Sequence, residues 1–326
     1  MTAPDLLERR VPGARAGAPT EIPRGGWFQV AKRAWTESQD HQVSLIAAGV
    51  AFYAFLSLFP AAIAGLMLYG LARNPADARV QAAQWTKNLP ADAASVVTKQ
   101  IEQLTTTSHS SLGIGLVVAL VLALWSAAGG VGNLITALNI AYDEEETRGF
   151  VRRKALALGL TLAAIIFAVL ALALVAAAPA VLDHVVGSGP ARWGLEVARW
   201  LLLVLAMAVG VGVLYRVAPD RADARFSWVS VGAVTATGGW IVASVAFSVY
   251  VDHFGSYAKT YGTAAGVVVL LLWLWMTIYL VLLGAELNAA AEEHTVRDTT
   301  TGDPEPMGRR RAVKADTFPV GPEGES

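Results

Sequence analysis

The stretch VDHFGSYAKTYGTAAGVVVLLLWLWMTIYLVLLGAELNAA, residues 251–290, decides the fold of this chain. Between Gly262 and Ala285 it contains 24 consecutive residues without a charged side chain. A helix rises ~1.5 Å per residue, so this length crosses the ~30 Å hydrocarbon core of a bilayer. We therefore predict a membrane-spanning helix over residues 262–285, followed by one acid, Glu286.

Five similar apolar stretches precede this one. The chain of 326 residues is 55% hydrophobic and only 16% charged, whereas soluble domains contain ~25% charged residues. The sequence predicts an all-α, polytopic membrane protein, a bundle of six transmembrane helices. We place its spans at residues 43–72, 112–142, 155–182, 200–215, 228–251 and 262–285.

The six spans form one domain, residues 41–291, between two polar tails. Residues 1–25 are rich in Pro and Gly and are predicted to be disordered. Residues 26–40 are either an amphipathic helix on the inner membrane face or a polar lead-in to the first span. Residues 292–326 have mixed charges and no apolar period, so we expect a second disordered tail.

The distribution of Lys and Arg predicts the orientation in the membrane. Eighteen of the 25 basic residues lie in the two tails and in the connections 2–3 and 4–5. Basic residues accumulate on the cytoplasmic side, so both termini are expected to be cytoplasmic in a bacterial inner membrane.

The outer connection between spans 1 and 2 contains apolar residues at helical spacing. This pattern predicts an amphipathic helix over residues 91–106. It either caps the bundle or lies on the outer leaflet.

Small residues predict where the helices pack, because lipid supplies little hydrophobic drive between them. Gly262 and Gly266 form a small-residue pair in span 6, and Gly232 and Ser244 lie on a small, polar face of span 5. These small-residue surfaces would also allow copies of the chain to pack together as a homo-oligomer.

Several polar residues lie within the predicted spans. Pro60 removes a backbone donor close to Tyr53 and Ser57, which predicts either a structural kink or a polar notch facing a cavity. Buried amides need partners, so Asn133 and Asn139 are expected to face the bundle interior. We treat the whole set as structural polar positions or as a substrate path: Tyr53, Ser57, Pro60, Ser126, Asn133, Asn139, Tyr279 and Glu286.

Glu286 is the strongest single candidate, because an acid in a membrane helix suggests function. Near the inner end of its helix it is also able to form a structural ion pair with Arg152, Arg153 or Lys154. Both interpretations remain open from the sequence.

The sequence contains no pattern for catalysis, a metal or a cofactor. It has no Cys, and its five His are scattered through tails and connections without a metal-ligand motif. Its net charge of −1 gives no basic face for nucleic acid. We expect a non-enzymatic protein whose partners are membrane lipids.

Three segments resemble the YihY/BrkB family of bacterial inner-membrane proteins. They are AAGVAFYAFLSLFP (47–60), LWSAAGGVGNLITALNIAYD (124–143) and YGTAAGVVVLLLWLWMTIYLVLLGAELNAA (261–290). The resemblance implies six spans with cytoplasmic ends. Members have been linked to serum resistance and, in a related branch, to export of lipid A precursors. The family also has an older label, ribonuclease BN, which this sequence does not support.

Taken together, these features favour transport or flipping of a lipid or amphipathic envelope molecule. The alternative is a non-transporting membrane scaffold for envelope assembly. An intramembrane enzyme that uses Glu286 is the third hypothesis.

Overall fold

The described part of the chain is helical throughout. The computed structural model describes residues 10–72, 109–176, 179, 189–261 and 263–319. A 3-10 turn at Pro19–Glu21 precedes eight α-helices in these residues. They are α1 (Arg24–Asp40), α2 (Val43–Ala72), α3 (His109–Ala141), α4 (Phe150–Ala176), α5 (Pro190–Val217), α6 (Phe226–Tyr261), α7 (Thr263–Glu293) and α8 (Val313–Asp316).

Six of these helices are long and apolar enough to cross a membrane, as the sequence predicted. Their apolar portions are Val43–Ala61, Val117–Ala141, Phe150–Ala176, Pro190–Val217, Phe226–Val251 and Ala265–Glu293. The largest difference is in the fourth, which begins ten residues before the predicted 200. Two charged residues there pair within the helix, Arg199 Nη2 lying 2.6 Å from Glu196 Oε2. The predicted outer helix at 91–106 lies outside the described residues.

Both described ends of the chain meet at one end of the bundle, which we call the polar end. It comprises α1, the α3–α4 connection, the α5–α6 connection and residues 294–319. Backbone bonds join these parts: Val296 N–H donates to Ala14 O over 2.8 Å, and Ala222 N–H donates to Arg311 O over 2.9 Å. An even number of spans brings the two ends to the same side.

The prediction of two disordered tails is wrong for their described parts, residues 10–23 and 294–319. Residues 10–23 and 294–319 pack on the bundle, and Thr295, Thr299 and Lys314 are buried there. The Thr295 hydroxyl donates to Ala16 O over 2.8 Å. Hydrogen bonds and ion pairs hold these segments in place, so they do not need a periodic apolar face.

α1 is a helix with one face buried against α7. Its inward positions are Gly26, Val30, Ala34 and Ser38. Phe28 is 74% exposed on another face. A helix is thus present where the sequence left two alternatives, and its inner face is occupied by protein.

α7 is the central helix, and it presents two different faces to its neighbours. It packs against α1, α2, α3, α6 and α8. Towards α6, Trp240 Nε1 donates to the Thr277 hydroxyl over 3.1 Å. Towards α2, Trp275 Nε1 donates to Ser44 O over 3.0 Å. These indole bonds hold α7 on both sides.

The closest approach of α7 to α6 depends on two glycines. A Cβ on Gly284 would lie 2.7 Å from Gly232 O and 2.9 Å from Ala236 Cβ. A Cβ on Gly232 would collide with Gly284 O. The Asn288 side chain completes the contact, accepting from Gly232 N–H over 2.7 Å and donating to Val229 O over 3.1 Å.

The other predicted packing positions lie elsewhere. A Cβ on Gly266 would meet no atom within 4 Å, and Gly262 lies outside the described residues. The Ser244 hydroxyl is enclosed without a described hydrogen-bond partner. The close contact therefore forms two turns before the end of α7 rather than at its start.

Packing is dense in the polar half of the bundle and sparse in the other half. In α4 only Ala157 and Thr161 are buried, and in α5 only Gly212 and Tyr215. All four lie in the half of their helix nearer the polar end. Among the described residues, α4 and α5 touch over a short stretch. Among the described residues, side chains are thus packed densely at the polar end, and most side chains of α4 and α5 are exposed.

We predict that Gly284→Ala lowers the free energy of unfolding by about 1–3 kcal/mol, the usual cost of overpacking. The added methyl group would push α7 from α6. Thermal unfolding in detergent micelles measures the effect. Gly266→Ala is the matched control in the same helix, and helix propensity predicts no loss there. Equal melting temperatures for both variants would contradict the close contact.

Candidate functional site at the polar end

His41 lies at the corner between α1 and α2 and bridges two carboxylates. Its Nδ1 lies 2.9 Å from Oε1 of Glu286 on α7. Its Nε2 lies 3.1 Å from Oδ1 of Asp143, just after α3. The Glu286 side chain is fully buried and that of His41 is 18% exposed. Because both ring nitrogens face carboxylates, both act as donors in the imidazolium.

Lys314 of α8 brings the C-terminal segment into the same cluster. Its Nζ lies 2.8 Å from Asp143 Oδ2, 3.1 Å from Glu37 Oε1 and 3.6 Å from Glu293 Oε2. The Lys314 side chain is only 5% exposed. We call these six residues the His41–Lys314 network: Glu37, His41, Asp143, Glu286, Glu293 and Lys314.

Proximity of opposite charges shifts the pKa values in this network. The hydrogen bond to Asp143, followed by that to Glu286, raises the pKa of His41 to about 10. The bond from His41 and then Lys314 lowers the pKa of Asp143 to about 2. Burial alone would lower the pKa of Lys314, but Asp143 and Glu37 raise it above its ordinary value. Both bases are therefore charged at neutral pH.

Two helix ends place His41 and Asp143. At α3, Glu144 N–H donates to Asn139 O over 2.8 Å and Asp143 N–H to Ile140 O over 3.0 Å. This pair is a Schellman motif, and Asp143 takes the left-handed position at φ 56°. At α1, Gln42 has φ 52° and ends the helix beside His41.

Arg221 and Glu292 form a second ion pair next to the network, and both side chains are fully buried. Arg221 Nη2 lies 2.7 Å from Glu292 Oε1. The Thr299 hydroxyl donates to the other oxygen of Glu292 over 3.0 Å. The guanidinium also lies over the ring of Tyr142, 4.3 Å from its centroid. These contacts join the α5–α6 connection to α7 and the C-terminal segment.

A third cluster, around Asn139, links the α3–α4 connection to the α5–α6 connection. Its amide nitrogen donates to Glu146 Oε2 over 3.1 Å, and its amide oxygen accepts from Asp220 N–H over 2.8 Å. Arg148 bonds Glu146 Oε1 over 2.7 Å. Asn139 is buried, as expected for an amide in this helix, and its partners are loop groups.

Glu286 has a partner that the sequence analysis did not predict. The proposed partners lie elsewhere: Arg153 bonds the Thr136 hydroxyl over 2.6 Å, and Lys154 lies 4.0 Å from the Trp125 ring centroid. The physical reason is helix placement, since α4 packs against α3 and away from α7. Glu286 is an ion-paired residue, and its partner is His41.

The remaining candidates lie along α2, α3 and α7. The Tyr53 side chain is 51% exposed, and the Ser57 hydroxyl bonds Ala54 O over 2.6 Å within its own helix. Ser126 and Asn133 are half-buried. No described hydrogen bond joins any two of these four side chains.

Two other predicted positions belong to helix structure. Tyr279 stacks on Trp275 with ring centroids 5.5 Å apart. α2 continues through Pro60. Neither residue lies in the polar-end cluster.

Sequence reasoning missed His41, Asp143, Lys314, Arg221 and Glu292 as site residues. Each was read as part of a tail or connection. Two signals were present: Asp143 closes the family-like segment at 124–143, and His41 directly precedes the first span. Nothing local pointed to Lys314, because its partners come from three distant segments.

The described residues contain no group of three or more His, Cys, Asp or Glu arranged to hold a metal ion. The site is instead a set of carboxylates matched to His, Lys and Arg.

Six apolar helices joined by this ion-pair cluster define a multi-pass α-helical membrane protein. The family model described as Virulence factor BrkB matches residues 34–308, and the chain belongs to this family. The match confirms the resemblance found in the sequence segments.

The similar proteins carry membrane or ribonuclease-like names. The Putative ribonuclease-like protein YfkH of Bacillus subtilis is 32% identical over 253 residues, covering 76% of this chain and 90% of that protein. A UPF0761 membrane protein of Tolumonas auensis is 37% identical over 102 residues, 31% of this chain and 33% of that protein. One from Vibrio vulnificus is 34% identical over 98 residues, 30% of this chain and 31% of that protein. No solved structure matches the chain.

We predict that His41→Gln removes a stabilisation that depends on pH. The pKa of His41 is raised on folding, so its contribution is complete below its unfolded pKa of ~6.5. It falls as pH rises towards about 10. Melting temperatures of both proteins between pH 6 and pH 10 should therefore converge as pH rises. A constant difference across this range would contradict the ion pairs.

We predict that Lys314→Gln lowers the free energy of unfolding by about 1–3 kcal/mol at pH 7, because Glu37, Asp143 and Glu293 lose their counter-charge while they stay partly open to solvent. The loss of stability should shrink towards pH 4.5, because a carboxyl group that gains a proton no longer needs a positively charged partner. Urea or thermal unfolding in micelles measures it. Arg309→Gln, at an exposed residue of the same segment, is the control. A similar loss in both variants would contradict the role of Lys314.

Proposed function

We propose that this protein transports or flips a lipid or another amphipathic envelope molecule across the bacterial inner membrane, with its polar end in the cytoplasm. The excess of Lys and Arg in the tails and in the two inner connections supports this orientation. The uneven packing of the bundle supports the activity.

The single observation that carries the proposal is the contrast between the two halves of the bundle. The polar half is sealed by buried side chains such as Tyr142, Tyr215 and Trp228. In the other half, large apolar side chains of α4 and α5 are exposed, including Leu170 and Leu201, each at 64%. An exposed apolar surface that ends at a closed polar layer suits a molecule with an acyl chain and a polar headgroup.

Among the described residues, Arg199 is the one side chain that forms hydrogen bonds between α4 and α5. Arg199 Nη1 lies 3.4 Å from both Leu174 O and Val175 O, the last carbonyls of α4. The Arg199 side chain is 9% exposed and also pairs with Glu196. A cation at a helix C-terminus is favourable, so this contact stabilises the packing of α5 against the end of α4.

Transport also requires that the closed end opens. The His41–Lys314 network joins α1, α7, the α3–α4 connection and α8, the four parts that would separate. Because several ion pairs share one cluster, they break together. The cluster therefore has two states, one with all pairs formed and one with the charged groups in water. In this proposal the network is the closed state of a cytoplasmic gate.

The test is lipid movement in reconstituted vesicles. Fluorescent phosphatidylethanolamine, phosphatidylglycerol and lysophospholipid are each tested, and external dithionite reports which leaflet holds the label. We expect faster exchange than in protein-free vesicles. Tyr53→Phe and Asn133→Ala should slow it if the polar positions line the route, without change in melting temperature.

The alternative is a scaffold that supports envelope assembly without moving lipid. A folded protein that exchanges none of these lipids would exclude the transport proposal for them. Stable partners on affinity capture, together with full function of both variants, would then support the scaffold.

A further inference from the structure

A cleft at the polar end lies outside the His41–Lys314 network. It has a volume of 920 Å³ and is bounded by the start of α4, the α5–α6 connection and the segment around α8. Ligand pockets commonly measure ~300–1,000 Å³. The size is therefore sufficient for a small polar ligand or a lipid headgroup.

The acids in the cleft wall already have partners. Glu144 Oε1 accepts from Val313 N–H over 2.8 Å. Asp220 Oδ2 accepts from the N–H and hydroxyl of Thr147, each over 2.6 Å. Asp316 accepts from Gly308 N–H over 2.7 Å. Asp223 lies 3.6 Å from Arg216. Arginines thus offset the charge of Asp220, 3.6 Å from Arg148, and of Asp223, whereas Glu144 and Asp316 are satisfied as acceptors by backbone donors and keep their charge.

Two arginines in the same wall have no such partner. Arg152 and Arg311 line the cleft, both are exposed, and neither side chain bonds or pairs with any described residue. Arg148, by contrast, is held by Glu146 at 2.7 Å. Arg152 and Arg311 are therefore the two arginines of the cleft wall whose charge is not offset by a direct ion pair with a described residue.

A third arginine lies in the same wall. Arg221 also borders the cleft, and its side chain is fully buried. Its Nη2 bonds Glu292, but its Nε and Nη1 lack any described hydrogen-bond partner. Both of these atoms are enclosed by protein, so Arg221 shapes the cleft wall and does not present these donors to a ligand.

The backbone of Arg311 supports a functional placement. It has φ 55°, in the left-handed region that glycine or asparagine occupies at lower cost. Its carbonyl accepts from Ala222 N–H over 2.9 Å, which fixes this residue against the α5–α6 connection. An arginine is thus held where a smaller residue would be less strained.

We propose that this cleft binds a phosphate-bearing anion, with Arg152 and Arg311 as its main ligands. Arginine matches phosphate because its planar fork donates two parallel hydrogen bonds. Arg152 lies beside the exposed side chains of Phe150 and Val151, which offer an apolar flank. The phosphate is carried by a lipid headgroup or is free in solution. This site does not depend on the proposed transport activity.

The test uses the intact chain, which has no native Cys. Thr317→Cys, at an exposed residue of the cleft wall, carries an environment-sensitive fluorophore. One arm titrates inorganic phosphate against chloride at constant ionic strength. The other compares nanodiscs of phosphatidylcholine with nanodiscs containing phosphatidate. A saturable signal in either arm is expected, and the arm that gives it identifies the source.

The variants decide whether the cleft itself binds the anion. Arg152→Gln and Arg311→Gln should each weaken binding about tenfold, the usual loss of a charge-assisted bond. Arg309→Gln, an exposed arginine outside the cleft wall, should leave it unchanged. No saturable signal in either arm would overturn the proposal, as would equal weakening in all three variants. If Arg311→Gln lowers the melting temperature, the binding affinity of Arg152→Gln alone decides whether the cleft binds the anion.

Discussion

The structure depends on the cost of removing charge from water. Glu286 and Glu292 are fully buried near the end of α7, and an uncompensated buried carboxylate costs several kcal/mol. Each must meet a base, and no base lies within α7 itself. His41 and Arg221 supply the charge from α1–α2 and α5–α6. Charge compensation therefore brings distant segments to one end of the bundle.

The same requirement orders parts of the chain that lack an apolar pattern. Lys314 lies among three carboxylates, and Arg310 donates to the carbonyls of Val296 and Ala315 over 2.8 and 2.6 Å. Each bond is modest after exchange with water. Together they replace the hydrophobic burial that usually fixes a segment, and the C-terminal residues pack across the polar end.

Inside the apolar layer a different constraint acts. Lipid tails compete equally well for apolar side chains, so close backbone packing and polar contacts decide which helices associate. Gly232, Gly284 and Asn288 provide both for α6 and α7. α4 and α5 contain no comparable described contact beyond Arg199. Among the described residues, packing is therefore dense at the polar end and sparse along α4 and α5.

The sequence by itself determined the class of protein, the six apolar helices and the family. These follow from local quantities: run length, charge content and short segments. Only the tertiary structure decided that Glu286 pairs with His41, that residues 294–319 pack on the bundle, and that Gly284 rather than Gly266 is the close contact. The physical reason is that these features depend on contacts between residues far apart in the sequence, and local sequence patterns do not specify such contacts.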